Sequence, residues 1–113
     1  MHEMRIAKEI IEVTYREMTA RQLSGISEIG LKIGILSGIS SEALRFSFEA
    51  ATAETPLSKA ELKIELTPIR ASCNSCQNNF VVDDFVFICP GCGSKDIDVI
   101  EGQELSIAYF IGE

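Results

Sequence analysis

Histidine occurs once in the 113 residues, at position 2, and cysteine occurs only between Cys73 and Cys92. With one imidazole and no cysteine to spare, no nucleophile–base constellation is visible, so the chain is not expected to be an enzyme. Basic residues are also scarce: ten Lys and Arg stand against 17 Asp and Glu, for a formal net charge of −7. Around the cysteines, Asp83, Asp84, Asp96 and Asp98 face Lys95 almost alone. Nucleic-acid binding relies on clustered cations that displace counterions, and that partner is excluded. No apolar run reaches the roughly eighteen residues of a membrane span, so no membrane partner is expected. Glu3, Arg5, Lys8, Glu9 and Glu12 interrupt the N-terminus, where a signal peptide would need an apolar core. These absences place the protein in a reducing, cytoplasmic setting.

What is present centres on two pairs, Cys73-Asn-Ser-Cys76 and Cys89-Pro-Gly-Cys92. Each CxxC turn lets two thiolates reach one ion, and two such turns supply a tetrahedral S4 set. Gly91 and Gly93 suit the turns, where residues near the sulfurs often need a positive φ. Soft S4 donors select zinc or iron, with structural zinc ahead of a rubredoxin-like iron site. Two disulfides would need an oxidising compartment. A thioredoxin-type redox pair would need only one CxxC. A site closed by its own four ligands holds structure and performs no hydrolysis.

The remainder reads as α/β (α+β), with two helices on a three-stranded sheet and an inserted zinc-ribbon-like domain. Residues 4–19 are amphipathic, with Met4, Ile6, Ala7, Ile10, Ile11, Val13 and Met18 within about half the circumference. A strand follows in which Ile29, Leu31, Ile33 and Ile35 alternate with Gly30, Lys32 and Gly34. Two glycines on one face predict close approach of another group there. Ser40 is the expected N-cap of a second helix, with Glu42 in its first turn and Leu44, Phe48 and Ala51 on one stripe. Glu61–Leu66 and the alternation Leu105, Ile107, Tyr109, Ile111 give two more strands. The expected division is residues 1–70 plus 96–113 as the α/β domain, with 71–95 inserted as the metal-binding domain.

His2 is the second point of chemical interest. Beside a free amino terminus, imidazole and neighbouring backbone amides chelate one ion in a plane, an arrangement suited to Ni(II) or Cu(II). A helix of about 23 Å and a returning strand of similar length bring the Ser37–Ser40 loop back beside His2. Ser40 and Glu42 would then stand within reach of the site.

Met1-His2-Glu3-Met4 opening an amphipathic helix, Lys32-Ile-Gly34 running into Leu36-Ser37-Gly38, Glu42-Ala-Leu44-Arg-Phe46 and the paired CxxC together resemble the HypA family. Gly102-Gln-Glu-Leu105 extends the likeness toward the C-terminus. The resemblance implies a nickel metallochaperone delivering Ni(II) to the large subunit of [NiFe] hydrogenase, in cooperation with a HypB-type GTPase. Nickel would be transferred cargo, held by His2, Glu3 and N-terminal backbone nitrogens. A structural Zn2+ would sit on Cys73, Cys76, Cys89 and Cys92. The chain departs from the family pattern where Ile35 replaces a common Glu. The competing expectations are a zinc-ribbon interaction adaptor with no nickel role, and a rubredoxin-like electron carrier.

Overall fold

A computed structural model of the chain describes residues 2–113. The order is α1 (Glu3–Arg21), β1 (Ile26–Gly34), a short 3-10 turn (Ile35–Ser37), α2 (Ser41–Thr52), β2 (Glu61–Thr67), β3 (Arg70–Cys73), β4 (Asn79–Val81), β5 (Ile97–Glu101) and β6 (Leu105–Gly112). Two three-stranded sheets form, ordered β2–β1–β6 and β4–β3–β5. The chain divides into two compact units, one of Met1–Lys32, Gly38–Glu65 and Ser106–Glu113, the other of Ile33–Ser37 and Leu66–Leu105. Among the described residues no helix is long and apolar enough to cross a membrane.

In the first unit α1 and α2 pack against each other. The buried stripe of α1 is Glu3, Ala7, Ile10, Thr14 and Met18, while Met4 is exposed. This differs from the expected apolar face at both ends of the hydropathy scale. Thr14 enters the core because its hydroxyl donates to the Ile10 carbonyl at 2.7 Å, which satisfies the one polar atom it buries. The last turn of α1 closes on Gln22, which is left-handed (φ 56°, ψ 44°) and bonds back to the carbonyls of Met18 and Thr19. On α2, Ser40 caps as expected, its hydroxyl accepting from the Ala43 amide at 3.2 Å. Leu44 and Phe48 are buried beneath it.

β1 is the central strand, with a hydrogen-bonded neighbour along each edge. Ile29, Leu31 and Ile33 fill the core side. On the other face, a Cβ at Gly30 would lie 2.1 Å from the ring of Tyr109, and one at Gly34 would lie 2.1 Å from the backbone of Gly102. The two glycines thus admit close neighbours, as their pairing in a strand predicts. Ile35 does not continue the alternation. The strand ends at Gly34, and Ile35 opens the 3-10 turn with 47% of its surface exposed.

The second unit has its own apolar cluster: Ile69, Ala71, Cys73, Phe80, Val82 and Cys89, flanked by Leu36, Phe87, Ile97 and Val99. β3 is its central strand, pairing antiparallel with β4 (Ala71 opposite Phe80) and with β5 (Cys73 opposite Ile97). Leu36 joins through its amide, which donates to the Gly102 carbonyl at 2.7 Å. The stretches 67–72 and 94–98 contain most of β3 and the start of β5.

Candidate metal centre

Cys73 closes β3, so the strand delivers the first sulfur from a buried, hydrogen-bonded position. The chain then turns tightly. The Gln77 amide donates to the Cys73 carbonyl at 2.9 Å, and the Cys73 amide donates to the Asn78 carbonyl at 2.8 Å. The second knuckle repeats the pattern: the Gly93 amide donates to the Cys89 carbonyl at 2.8 Å, and the Cys89 amide to the Ser94 carbonyl at 2.9 Å. The residue after each CxxC is left-handed, Gln77 at φ 61° and Gly93 at φ 78°. Of the two glycines expected to serve the turns, Gly93 takes the positive φ and Gly91 does not. The equivalent turn in the first knuckle is carried by Gln77, with a side chain in a conformation that costs roughly 1–2 kcal/mol.

The two knuckles are tied together outside the sulfurs. Asn74 donates to the Asp96 carboxylate at 3.1 Å, and the Ser75 and Ser94 hydroxyls bond at 3.0 Å. The Asn74 amide also donates to the Asp96 carbonyl at 2.9 Å. Sequence reading assigned these residues no task. Their only signal was position, one to four residues from a cysteine, where groups that orient metal ligands are commonly found.

All four ligand atoms lie within 4.8 Å of one another. Cys73 and Cys92 sulfurs are 3.6 Å apart, as are those of Cys76 and Cys89. A tetrahedron with metal–sulfur bonds of about 2.3 Å has edges of about 3.8 Å, so the four thiols fit one ion. A disulfide needs sulfurs about 2.0 Å apart, and all four cysteines are free. The site is polar in a regular way. The first cysteine of each knuckle is buried and the second exposed. The Cys76 amide, bonding back to the Cys73 sulfur at 3.5 Å, holds the Cys73 thiol below its ordinary range. Burial opposes ionisation of Cys89, yet the amides of Cys92 and Gly91 bring it down to about 6. Cys76 is drawn down by the Asn78 amide, but sharing a proton with the Cys89 sulfur, together with burial, pushes it up to about 12. Cys92 is likewise raised: against the Ser94 amide, the Cys73 sulfur dominates. The first sulfur of each knuckle is thus the more readily ionised and the second the less so.

At the other expected site, His2 is exposed and stands at the N-cap position of α1, its carbonyl accepting from the Ile6 amide at 3.0 Å. Its side chain makes no capping bond. Glu3 is buried, and its carboxylate accepts from the Ser40 amide at 3.2 Å. The Ser37–Ser40 loop does return to the start of α1, as the lengths of helix and strand require. The positive amino terminus and then the Ser40 amide hold the Glu3 carboxyl down to about 2. Glu42 is exposed in the first turn of α2. The Met1 nitrogen expected to complete a planar chelate lies outside the described residues. Among the described residues, the four cysteines form the one His/Cys/Asp/Glu group clustered tightly enough to hold an ion.

A two-helix α/β unit and a double-knuckle thiolate unit in one short chain define a small metal-binding protein. The chain matches the family described as hydrogenase/urease nickel incorporation, metallochaperone, HypA, over residues 1–111. It is 37% identical over 107 residues to the hydrogenase maturation factor HypA of Geobacter metallireducens, covering 95% of this chain and 94% of that one. Against the factor of the same name from Moorella thermoacetica it is 34% identical over the full length of both. The solution structure of the Ni metallochaperone HypA from Helicobacter pylori superposes with a TM-score of 0.69, covering 99% of this chain and 97% of that one, and shares its fold at 21% identity. The chain belongs to the HypA family, the nickel metallochaperones of hydrogenase maturation.

Proposed function

We propose that this chain delivers Ni(II) to the large subunit of [NiFe] hydrogenase, receiving or releasing it in cooperation with a HypB-type GTPase in the cytoplasm. Cys73, Cys76, Cys89 and Cys92 hold a structural Zn2+, while His2 and Glu3 with N-terminal backbone nitrogens hold the cargo. In this reading the α/β part carries nickel and the cysteine-bearing part carries zinc. The protein acts by binding and surrendering an ion, without chemical turnover.

The observation that carries this reading is the contrast in accessibility. His2 stands exposed at the first turn of a helix, whereas two of the four sulfurs are buried and cross-braced. A chaperone needs a site it can give up, and terminal nitrogens offer one. Ligation by amides requires their deprotonation, so nickel affinity rises with pH.

The test is nickel titration of untagged, zinc-loaded protein, wild type against His2→Ala. The expected result is loss of nickel binding with one zinc per chain retained. A residue fused ahead of Met1 should weaken nickel in the same way. Unchanged nickel affinity in both would overturn the ligand set. Red iron–thiolate absorption in native material would instead support the electron-carrier reading.

A further inference from the structure

Between β4 and the second knuckle the chain reverses in a turn built against its own sterics. The Val86 amide donates to the Asp83 carbonyl at 3.0 Å, and both residues inside the turn are left-handed, Asp84 at φ 53° and Phe85 at φ 58°. Turns with two positive φ values normally carry Asn-Gly or Asp-Gly. Here phenylalanine stands where glycine would, and its Cβ meets the clash that glycine avoids. Burial does not offset that clash, because Phe85 is 61% exposed. A strained residue with so little packing of its own points to a contact made outside the fold.

Phe85 has apolar company. Phe80, Val82 and Cys89 belong to the buried cluster of this unit and Phe87 packs against it, whereas the residues alternating with them face outward. Val81 on the arm entering the turn, and Val86 and Ile88 on the arm leaving it, are all exposed. Large apolar side chains gathered in this way within residues 81–88 mark a contact surface. None of them is a ligand at either expected metal site, so the surface stands whatever the cargo is.

The charges around it are of one sign. Asp83 and Asp84 are exposed beside Phe85, and no Lys or Arg occurs between Arg70 and Lys95. Arg70 is itself engaged by Glu101 at 3.8 Å. We propose that this tip docks a segment of a partner protein that carries apolar side chains flanked by Lys or Arg. The apolar side chains cover Phe85 and Val86, and the cations meet Asp83 and Asp84. Charge complementarity selects that occupant, because an anionic lipid surface would be repelled by the same carboxylates.

The experiment titrates zinc-loaded, full-length protein into a fluorescent amphipathic Leu/Lys peptide and reads anisotropy. The expected wild-type result is saturable binding that weakens as salt is raised. Phe85→Gly should weaken it by about tenfold or more, with zinc content unchanged and the denaturation midpoint held or raised, since glycine relieves the turn. Asp83→Asn combined with Asp84→Asn should weaken binding and flatten its salt dependence. Phe46→Ser, at an exposed ring of α2 in the other unit, should change neither. The proposal is overturned by no saturable binding in the wild type, by full-strength binding in Phe85→Gly, or by a Ser/Lys peptide of equal charge that binds as tightly as the Leu/Lys one. A lowered midpoint in Phe85→Gly would also overturn it, by making the ring a structural residue. Binding to phosphatidylcholine vesicles that Phe85→Gly abolishes would assign the tip to a membrane instead.

Discussion

Gln77 and Gly93 occupy the same place in the two knuckles, and only one of them is suited to it. Both are left-handed, so replacing Gln77 by glycine removes a conformational cost that Gly93 never bears. Gln77→Gly should leave stability unchanged or raise it by up to about 1 kcal/mol, because the greater freedom of unfolded glycine offsets part of the gain. Gly93→Ala should lower it by about 1–2 kcal/mol. Denaturation midpoints at saturating zinc measure both, and equal losses in the two variants would show that the turns are not equivalent. Glu3 makes a different prediction, in pH. Its carboxyl is depressed from 4.5 to about 2, so it stabilises the fold fully above 4.5 and loses that contribution as pH falls from 4.5 toward 2. Glu3→Gln should remove that part of the acid sensitivity. The readout is the difference between the wild-type and variant stability curves, and parallel curves would refute it. At this scale the sequence was most legible where chemistry restricts residue type. Two CxxC pairs need no fold to be recognised, whereas Gln77 was invisible because any residue can be forced left-handed by its surroundings. Glu3 was legible only as part of a terminal motif; its burial against the Ser40 amide depends on a loop some forty residues away in sequence.

Elements were read best where hydrophobic period and length agreed. α1 and α2 follow the helical period, and β2 follows strict alternation. β1 was placed correctly but overextended, since Ile35 matches the alternation by type while the backbone turns away after Gly34. β3 and β4 were missed for a physical reason. They are four and three residues long, and β3 buries only Ala71 and Cys73, which pattern reading counts as a small residue and a metal ligand. Their strand character comes from pairing with each other and with β5, a tertiary effect that local propensity does not contain. β6 was read as an alternating strand and is one, with most of its residues exposed at the end of the sheet. The glycines of β1 carry the sharpest prediction for an element. Gly34→Ala places a methyl group 2.1 Å from backbone atoms of Gly102 that cannot rotate aside. A loss of roughly 1–3 kcal/mol or more is expected. Gly30→Ala meets a tyrosine ring, which can swing away, so it should cost less and should also free Glu28 from Tyr109. Thermal unfolding of the two variants distinguishes them; a milder effect at Gly34 than at Gly30 would contradict the packing.

At the scale of the whole molecule, the two units have unequal means of support. The first has two helices over a central strand with Ile29, Leu31, Leu44, Phe48 and Leu57 essentially inaccessible. The second has a cluster in which two of the six buried members are cysteines. Removing the ion with a chelator at neutral pH should therefore release amide protection in residues 66–105 while helical circular dichroism persists. Simultaneous loss of both signals would mean that the first unit depends on the metal as well. Acid should have the same selective effect. Binding four thiolates displaces the protons still on the sulfurs, so zinc affinity falls as pH drops and falls further once Cys89, held at about 6, is protonated.

Leu36, Ile69, Ile97 and Val99 pack on the cysteine cluster, yet none of them lies between residues 71 and 95. A synthetic peptide of that span would carry every sulfur and leave behind much of the oil that seats them. Grafted into a foreign host, it would bind its ion as a pliable loop, because the surface against which the knuckles are braced is threaded in from earlier and later parts of the polypeptide.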